Sequence, residues 1–207
     1  MKNRYWILIW SCFLLGCAGE PEVIPEQELY RHISDRKEIL TPVDDRIWIK
    51  TEAPTDYFIQ KYPEIKAFAG TEPGVRGVYI HPPKDIFELI NRLSQDPEVI
   101  YVSPFLLNER GQEFGGLTNQ ILVCMKKGKT LQDLNKAFSR YEIQEYKENP
   151  FDPLKYTVTL KEKNAIKSLL IANELHETAD CFVYVEVNYL LIIRFGEKGE
   201  PLPGHEE

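Results

Sequence analysis

Beyond residue 28 the chain is built from short apolar runs separated by turn residues, and the period of each run predicts its element. Leu29–Ile33 and Glu38–Thr41 flank the polar Ser34-Asp35-Arg36-Lys37, which predicts a β-hairpin. Arg46–Lys50 (RIWIK) alternates like a half-buried strand, and Pro54 takes the N1 position of a short helix ending at Tyr62. Ile65–Ala69 and Val75–His81 read as strands around a turn-rich segment at 70–74. In Pro83–Gln95 the residues Ile86, Leu89, Ile90 and Leu93 fall on one helical face. Asp96-Pro97 stops that helix. Glu98–Leu107 (EVIYVSPFLL) follows as a strand in which Pro104 must lie at an edge or end.

The same order then recurs. Gln120–Lys126 (QILVCMK) is a strand, and Thr130 caps a helix with an acid, Asp133, at its third position. That helix is expected to bury Leu131, Leu134, Ala137 and Phe138. Glu142–Tyr146 and Tyr156–Leu160 are strands joined by 149–153, Asn164–Thr178 is a helix, and Cys181–Ile193 is a long closing strand. In that helix Ala165, Leu169, Ala172 and Leu175 share one side. Both spans, about 46–107 and 120–193, read β-α-β-β-α-β. The expected fold is α+β: two tandem ferredoxin-like units with antiparallel sheets, preceded by a hairpin. Right-handed crossovers would put both helices of a unit on one face of its sheet. The units span 29–112, hairpin included, and 113–195, with a polar, acidic tail at 196–207.

The first 28 residues carry a different message. Lys2 and Arg4 precede an apolar run from Tyr5 to Leu15, too short to cross a bilayer but suited to a signal peptide over 1–16. Leu14-Leu15-Gly16-Cys17 resembles the lipobox of bacterial lipoproteins. That resemblance implies cleavage before Cys17 and acylation of its thiol and amine, anchoring the chain at about 0.8 kcal/mol per buried methylene. Ala18 in place of Asp leaves transport to the outer membrane unopposed, with the protein on its periplasmic or surface face. The polar, proline-bearing 17–28 segment reads as a tether. Loss of 1–16 removes Trp6 and Trp10, leaving Trp48 as the one tryptophan. It also removes Lys2 and Arg4, so 25 cations become 23 against 32 acids, a net charge of -9. Such a body repels phosphate backbones and excludes a nucleic-acid partner.

Pro97–Leu117 (PEVIYVSPFLLNERGQEFGGL) resembles the region that precedes the catalytic domain in subtilisin-like serine peptidases of Bacteroidota. Tyr101–Phe105 carries most of the likeness, which extends more weakly over 29–193. The resemblance implies a propeptide-like module that packs its sheet on a peptidase and lays its C-terminal segment in the cleft. With only a polar tail after Ile193, the family's catalytic Asp, His and Ser cannot be carried over, and the expectation is a free-standing, membrane-tethered accessory module. Arg194, Phe195, Pro201, Leu202 and Pro203 of the tail are the candidate partner-binding residues.

Catalytic chemistry finds little footing. His32, His81, His176 and His205 lack metal-ligand spacing, and HExxH, CxxC and GxSxG are absent. His176-Glu177 reads as a solvated helix face, and Asp44-Asp45 as a turn before the first strand of the body. Phe114-Gly115-Gly116-Leu117 lacks the lysine and strand-to-helix setting of a phosphate loop. No catalysis, cofactor or metal is expected. Cys124 and Cys181 lie at the meeting ends of neighbouring strands and are either bridged or two separate buried thiols. The expected role is a protein-binding envelope module partnering a subtilisin-like peptidase or another envelope protein. Small-ligand binding or a purely structural role is the alternative.

Overall fold

A computed structural model describes residues 28–33, 36–69, 74–81, 83 and 85–191. The signal segment, Cys17 and the tail residues Arg194, Phe195, Pro201, Leu202 and Pro203 lie outside these. The fold is α+β, with four helices among the described residues and strands that pair antiparallel throughout.

The predicted hairpin forms a two-stranded sheet of β1 (Tyr30–Ile33) and β2 (Arg36–Ile39). Next come β3 (Thr41–Thr51), α1 (Thr55–Lys61), β4 (Ile65–Ala69), β5 (Gly74–Ile80), α2 (Ile86–Ser94) and β6 (Val99–Leu107). The second series is β7 (Glu113–Met125), α3 (Leu131–Ala137), β8 (Ile143–Asn149), β9 (Asp152–Leu160), α4 (Ala165–Thr178) and β10 (Phe182–Leu191). These strands form one eight-stranded sheet, ordered β4-β5-β3-β6-β7-β9-β8 with β10 also on β7.

β7 is the spine. β10 pairs with it from Gly115 to Met125, so β6, at Glu113 and Gly115, and β9, at Gln120–Cys124, must share its other edge. Gly115 sits where the partners change, at φ +127°, a conformation that favours glycine. Gly116 is needed for space, since a Cβ there would fall inside the Trp48 indole.

Several sequence expectations shift. Pro54 is the N-cap of α1 rather than N1, Asp44 and Asp45 lie within β3, and β7 begins seven residues earlier than 120. Pro104 pairs with Ile47 inside β6, but β6 meets β7 only at Leu106 and Leu107, so at Pro104 it has an edge strand's freedom on that side. Leu131 is 50% exposed, because the first residue of α3 precedes the turn that Leu134 and Phe138 bury. The α2 face predicted from Ile86, Leu89, Ile90 and Leu93 is buried throughout.

One continuous apolar cluster runs through both series, from Ile47, Phe58 and Leu93 to Ile121, Phe138 and Leu169. Asn164 ties them together. Its side-chain Oδ1 caps α4 by accepting from the Ile166 N–H, and its Nδ2 donates to Asn91 Oδ1 at 2.8 Å. Beside it the Val102 N–H donates to the Lys163 carbonyl, and Lys163 Nζ to the Asp96 carbonyl, at 2.8 and 2.9 Å.

Candidate functional site

Alternation along β3 sends Ile47 and Ile49 into the core and leaves Arg46, Trp48 and Lys50 half-buried on the opposite face. Their cross-strand neighbours are Tyr79, Gly77 and Val75 on β5, and Ser103 and Tyr101 on β6. The Trp48 ring stacks on Phe105 at 5.8 Å between centroids, and the Arg46 guanidinium lies 4.3 Å over the Phe105 ring. Arg46 also donates to Glu113 at 3.0 Å. Between them opens a recess of about 180 Å³, floored by Trp48 and Gly77 and rimmed by Ala69, Tyr79, Phe105 and Glu113. Tyr79 and Val75 stand out from this face, 49% and 39% exposed. Trp48 Nε1 is buried without an acceptor, and burial pushes the Tyr101 hydroxyl up to about 12. Phe105 and Tyr101 are themselves buried, so what this face offers is the exposed Tyr79 and the half-buried Trp48 and Arg46 around one concavity.

A second polar constellation is structural. Asp96 is buried behind α2, where Tyr62 donates to Oδ2 at 2.8 Å, Tyr57 reaches both oxygens, Lys61 pairs at 2.9 Å and the Glu98 N–H donates to Oδ1. Burial pulls the Asp96 carboxyl upward, but these donors outweigh it and hold the group below its ordinary value. With every oxygen occupied, this carboxylate has no acceptor left for a substrate. The second series carries a counterpart. Arg140 and Tyr141 follow α3 as Lys61 and Tyr62 end α1, and both contact Glu174 near the end of α4, at 2.5 and 2.6 Å. Sequence reasoning took Asp96 only as a helix stop; the repeated cation-Tyr dipeptide was the available signal.

Glu177 is exposed, as a solvated face requires, but His176 is half-buried. The β1–β2 hairpin rests on them: His32 stacks on His176 at 4.0 Å, while Tyr30 and Lys37 reach Glu177 at 3.1 and 2.9 Å. Among the described residues no three His, Cys, Asp or Glu side chains gather as a metal site. Cys124 and Cys181 are both free thiols. The register explains their separation. Cys124 pairs with Tyr184 on the half-exposed face of β7, while Cys181 precedes β10 and belongs to the core cluster. Trp48 was noted in the sequence only as the last tryptophan. Its place on the polar side of an alternating strand was the sign that it faces out. No family model matches this chain, and no curated protein matches it.

Proposed function

We propose that this chain is a non-enzymatic envelope lipoprotein that acts as a protein-binding module made of two tandem ferredoxin-like units. The strand orders β6-β3-β5-β4 and β10-β7-β9-β8 support the units, since in each series the first and third strands are central and the second and fourth flank them. The repeated Lys61-Tyr62-Asp96 and Arg140-Tyr141-Glu174 clamps support the duplication. The lipobox-like 14–17 segment supports anchoring to the bilayer through Cys17, in the outer membrane.

The observation that carries the binding role is the Trp48 face, with its recess and the exposed Tyr79. Trp, Tyr and Arg are the residues that most often anchor protein interfaces, and aromatic rings lose little side-chain entropy on docking. The partner proposed is a subtilisin-like peptidase of the same envelope, on the resemblance of Pro97–Leu117. The test titrates the protein lacking residues 1–17 against such peptidases from its own membranes, as wild type and as Tyr79→Asp. Slowed cleavage or a stable complex is expected, weakened about tenfold or more by the substitution. No effect on any of them, or equal effect of both forms, rejects the reading.

A further inference from the structure

Among the described residues the buried charged side chains are Glu38, Arg76 and Asp96. Both acids have a cation in reach: Glu38 takes the Arg31 guanidinium at 2.6 Å, and Asp96 takes Lys61 at 2.9 Å. Arg76, only 4% exposed, has no carboxylate within ion-pair distance among the described residues. Its Nη2 donates to the Ala53 carbonyl at 3.4 Å, long for a hydrogen bond, and its Nε is buried with no partner. The Phe68 ring centroid lies 5.8 Å from the guanidinium, at the outer limit of a cation–π contact. A guanidinium carries five N–H donors and does not shed its charge. Burying it without an anion is strongly unfavourable.

The fold itself does not call for a cation at this place. Arg76 opposes Ile49 of β3 as Tyr156 of β9 opposes Val123 of β7, and Tyr156 packs against the core without a charge. Register also says where the guanidinium is reached. Gly74 opposes Thr51 one pair further on, so Gly74 and Arg76 share the core side of β5. Gly74 is the first residue of that strand, and a Cβ built on it would meet no atom within 4 Å. Arg76 thus stands two residues from open space at the rim of the core. A group so deeply covered is closed to the surface of a folded partner but not to a small solute.

We propose that the Arg76 guanidinium binds a small free carboxylate, which enters beside Gly74. The two oxygens of a carboxylate match neighbouring N–H groups of the guanidinium fork, and the unpartnered Nε supplies one of them. The charge that the core leaves uncompensated is then neutralised by the ligand, so binding and stability rise together. The site lies on the opposite side of β5 from Gly77 and Tyr79 of the Trp48 recess, so the two readings fail separately.

The probe is formate, which replaces chloride at fixed ionic strength while the protein lacking residues 1–17 is unfolded by heat. Wild type should show a saturable rise in Tm of about 3 °C or more, Tyr79→Asp the same rise, and Arg76→Met none. A second readout does not depend on how well Arg76→Met folds. In a nitrogen-15 spectrum of the arginine Nε–H groups, the signal that Arg76→Lys removes should move with formate along the same saturation curve, while the other arginine signals stay in place. No saturable rise in wild type, an equal rise in Arg76→Met, or a formate shift shared alike by all the arginines overturns the proposal.

Discussion

On the side of the sheet turned from the core, β3, β5 and β6 carry Arg46, Trp48, Lys50, Tyr79, Tyr101 and Phe105. The corresponding side of β7, β9 and β10 carries Gln120, Thr157, Thr159, Lys155, Tyr184 and Glu186. The core sides do not differ in this way: Ile47, Ile49 and Val78 in one series match Ile121, Val123 and Val158 in the other. Burial constrains one face of each strand to apolar residues in both series. The other face is less tightly constrained, since Tyr101 and Phe105 are buried on it while Trp48 is half-buried and Tyr79 exposed, and there the two series diverge. Tyr79 and Val75 leave apolar surface exposed on the aromatic side, whereas Thr and Gln are ordinary for a solvated sheet.

That contrast requires the halves to be one folding unit despite their different outer faces. Phe58 and Phe138 are both fully buried, one in each series. Replacing either by Ala should cost about 3–5 kcal/mol. In urea, far-ultraviolet circular dichroism and Trp48 fluorescence should report one coincident transition, lowered by either substitution. If Phe138→Ala leaves the Trp48 transition where it was, the shared core does not couple the halves.

The paired clamps should differ next. The Asp96 side chain is fully buried and holds four donors, whereas that of Glu174 is 42% exposed. Asp96→Ala should therefore cost about 2–3 kcal/mol and Glu174→Ala about 0.5 kcal/mol. Because Asp96 is held below its ordinary value of 3.8 in the folded protein, its contribution is present above that pH and is lost as pH falls through the folded value. Acid titration of stability should accordingly be shallower in Asp96→Asn than in wild type. Equal costs at the two acids, or an unchanged acid slope, would remove the asymmetry.

Periodicity made most of the fold legible, because burial writes it directly into the chain: the 86–93 helical face and the alternation of RIWIK are one-dimensional records of one-sided packing. What it missed depends on contacts between distant segments. Gly115 and Gly116 lie before the predicted strand start at 120, and only the +127° φ at Gly115 and the Trp48 indole against Gly116 explain why glycine stands inside β7. Asp96 reads as a helix terminator until Tyr57, Lys61 and Tyr62 fold back on it. His176 reads as solvated until the hairpin arrives from about 140 residues upstream. The proposed interaction face was half legible, since the alternation of RIWIK sets Trp48 on the side of Arg46 and Lys50 but says nothing of Tyr79 and Phe105 flanking it.

The hairpin adds a pH dependence to the second series alone, because β1 rests on α4. Burial, and then the neighbouring His176, holds the His32 imidazole below its ordinary 6.5, with Glu177 only partly opposing them. A detached hairpin thus binds a proton more readily than a docked one. Docking is at full strength above about pH 6.5 and weakens as pH falls from there towards the lower folded value. Amide exchange across 30–40, corrected for its intrinsic pH dependence, should show easier opening at about pH 5.5 than at pH 7.5. His32→Phe should abolish the difference, and a wild-type hairpin equally protected at both would contradict it.

The smallest effect belongs to Leu131, where pattern and structure part. Its spacing to Leu134 and Phe138 suggests one apolar stripe, and burial of all three would make α3 as deeply seated as α2. Leu131 is instead the first helical residue, half exposed beside the Thr130–Asp133 capping box, and the stripe begins one turn later. A side chain that keeps half its surface in water loses little when shortened to a polar one, and the cap is left untouched. Leu131→Gln should therefore change stability by no more than about 0.5 kcal/mol in denaturant titration, far below the cost at Phe138. A loss above about 2 kcal/mol would place Leu131 in the core and deepen the seat of α3.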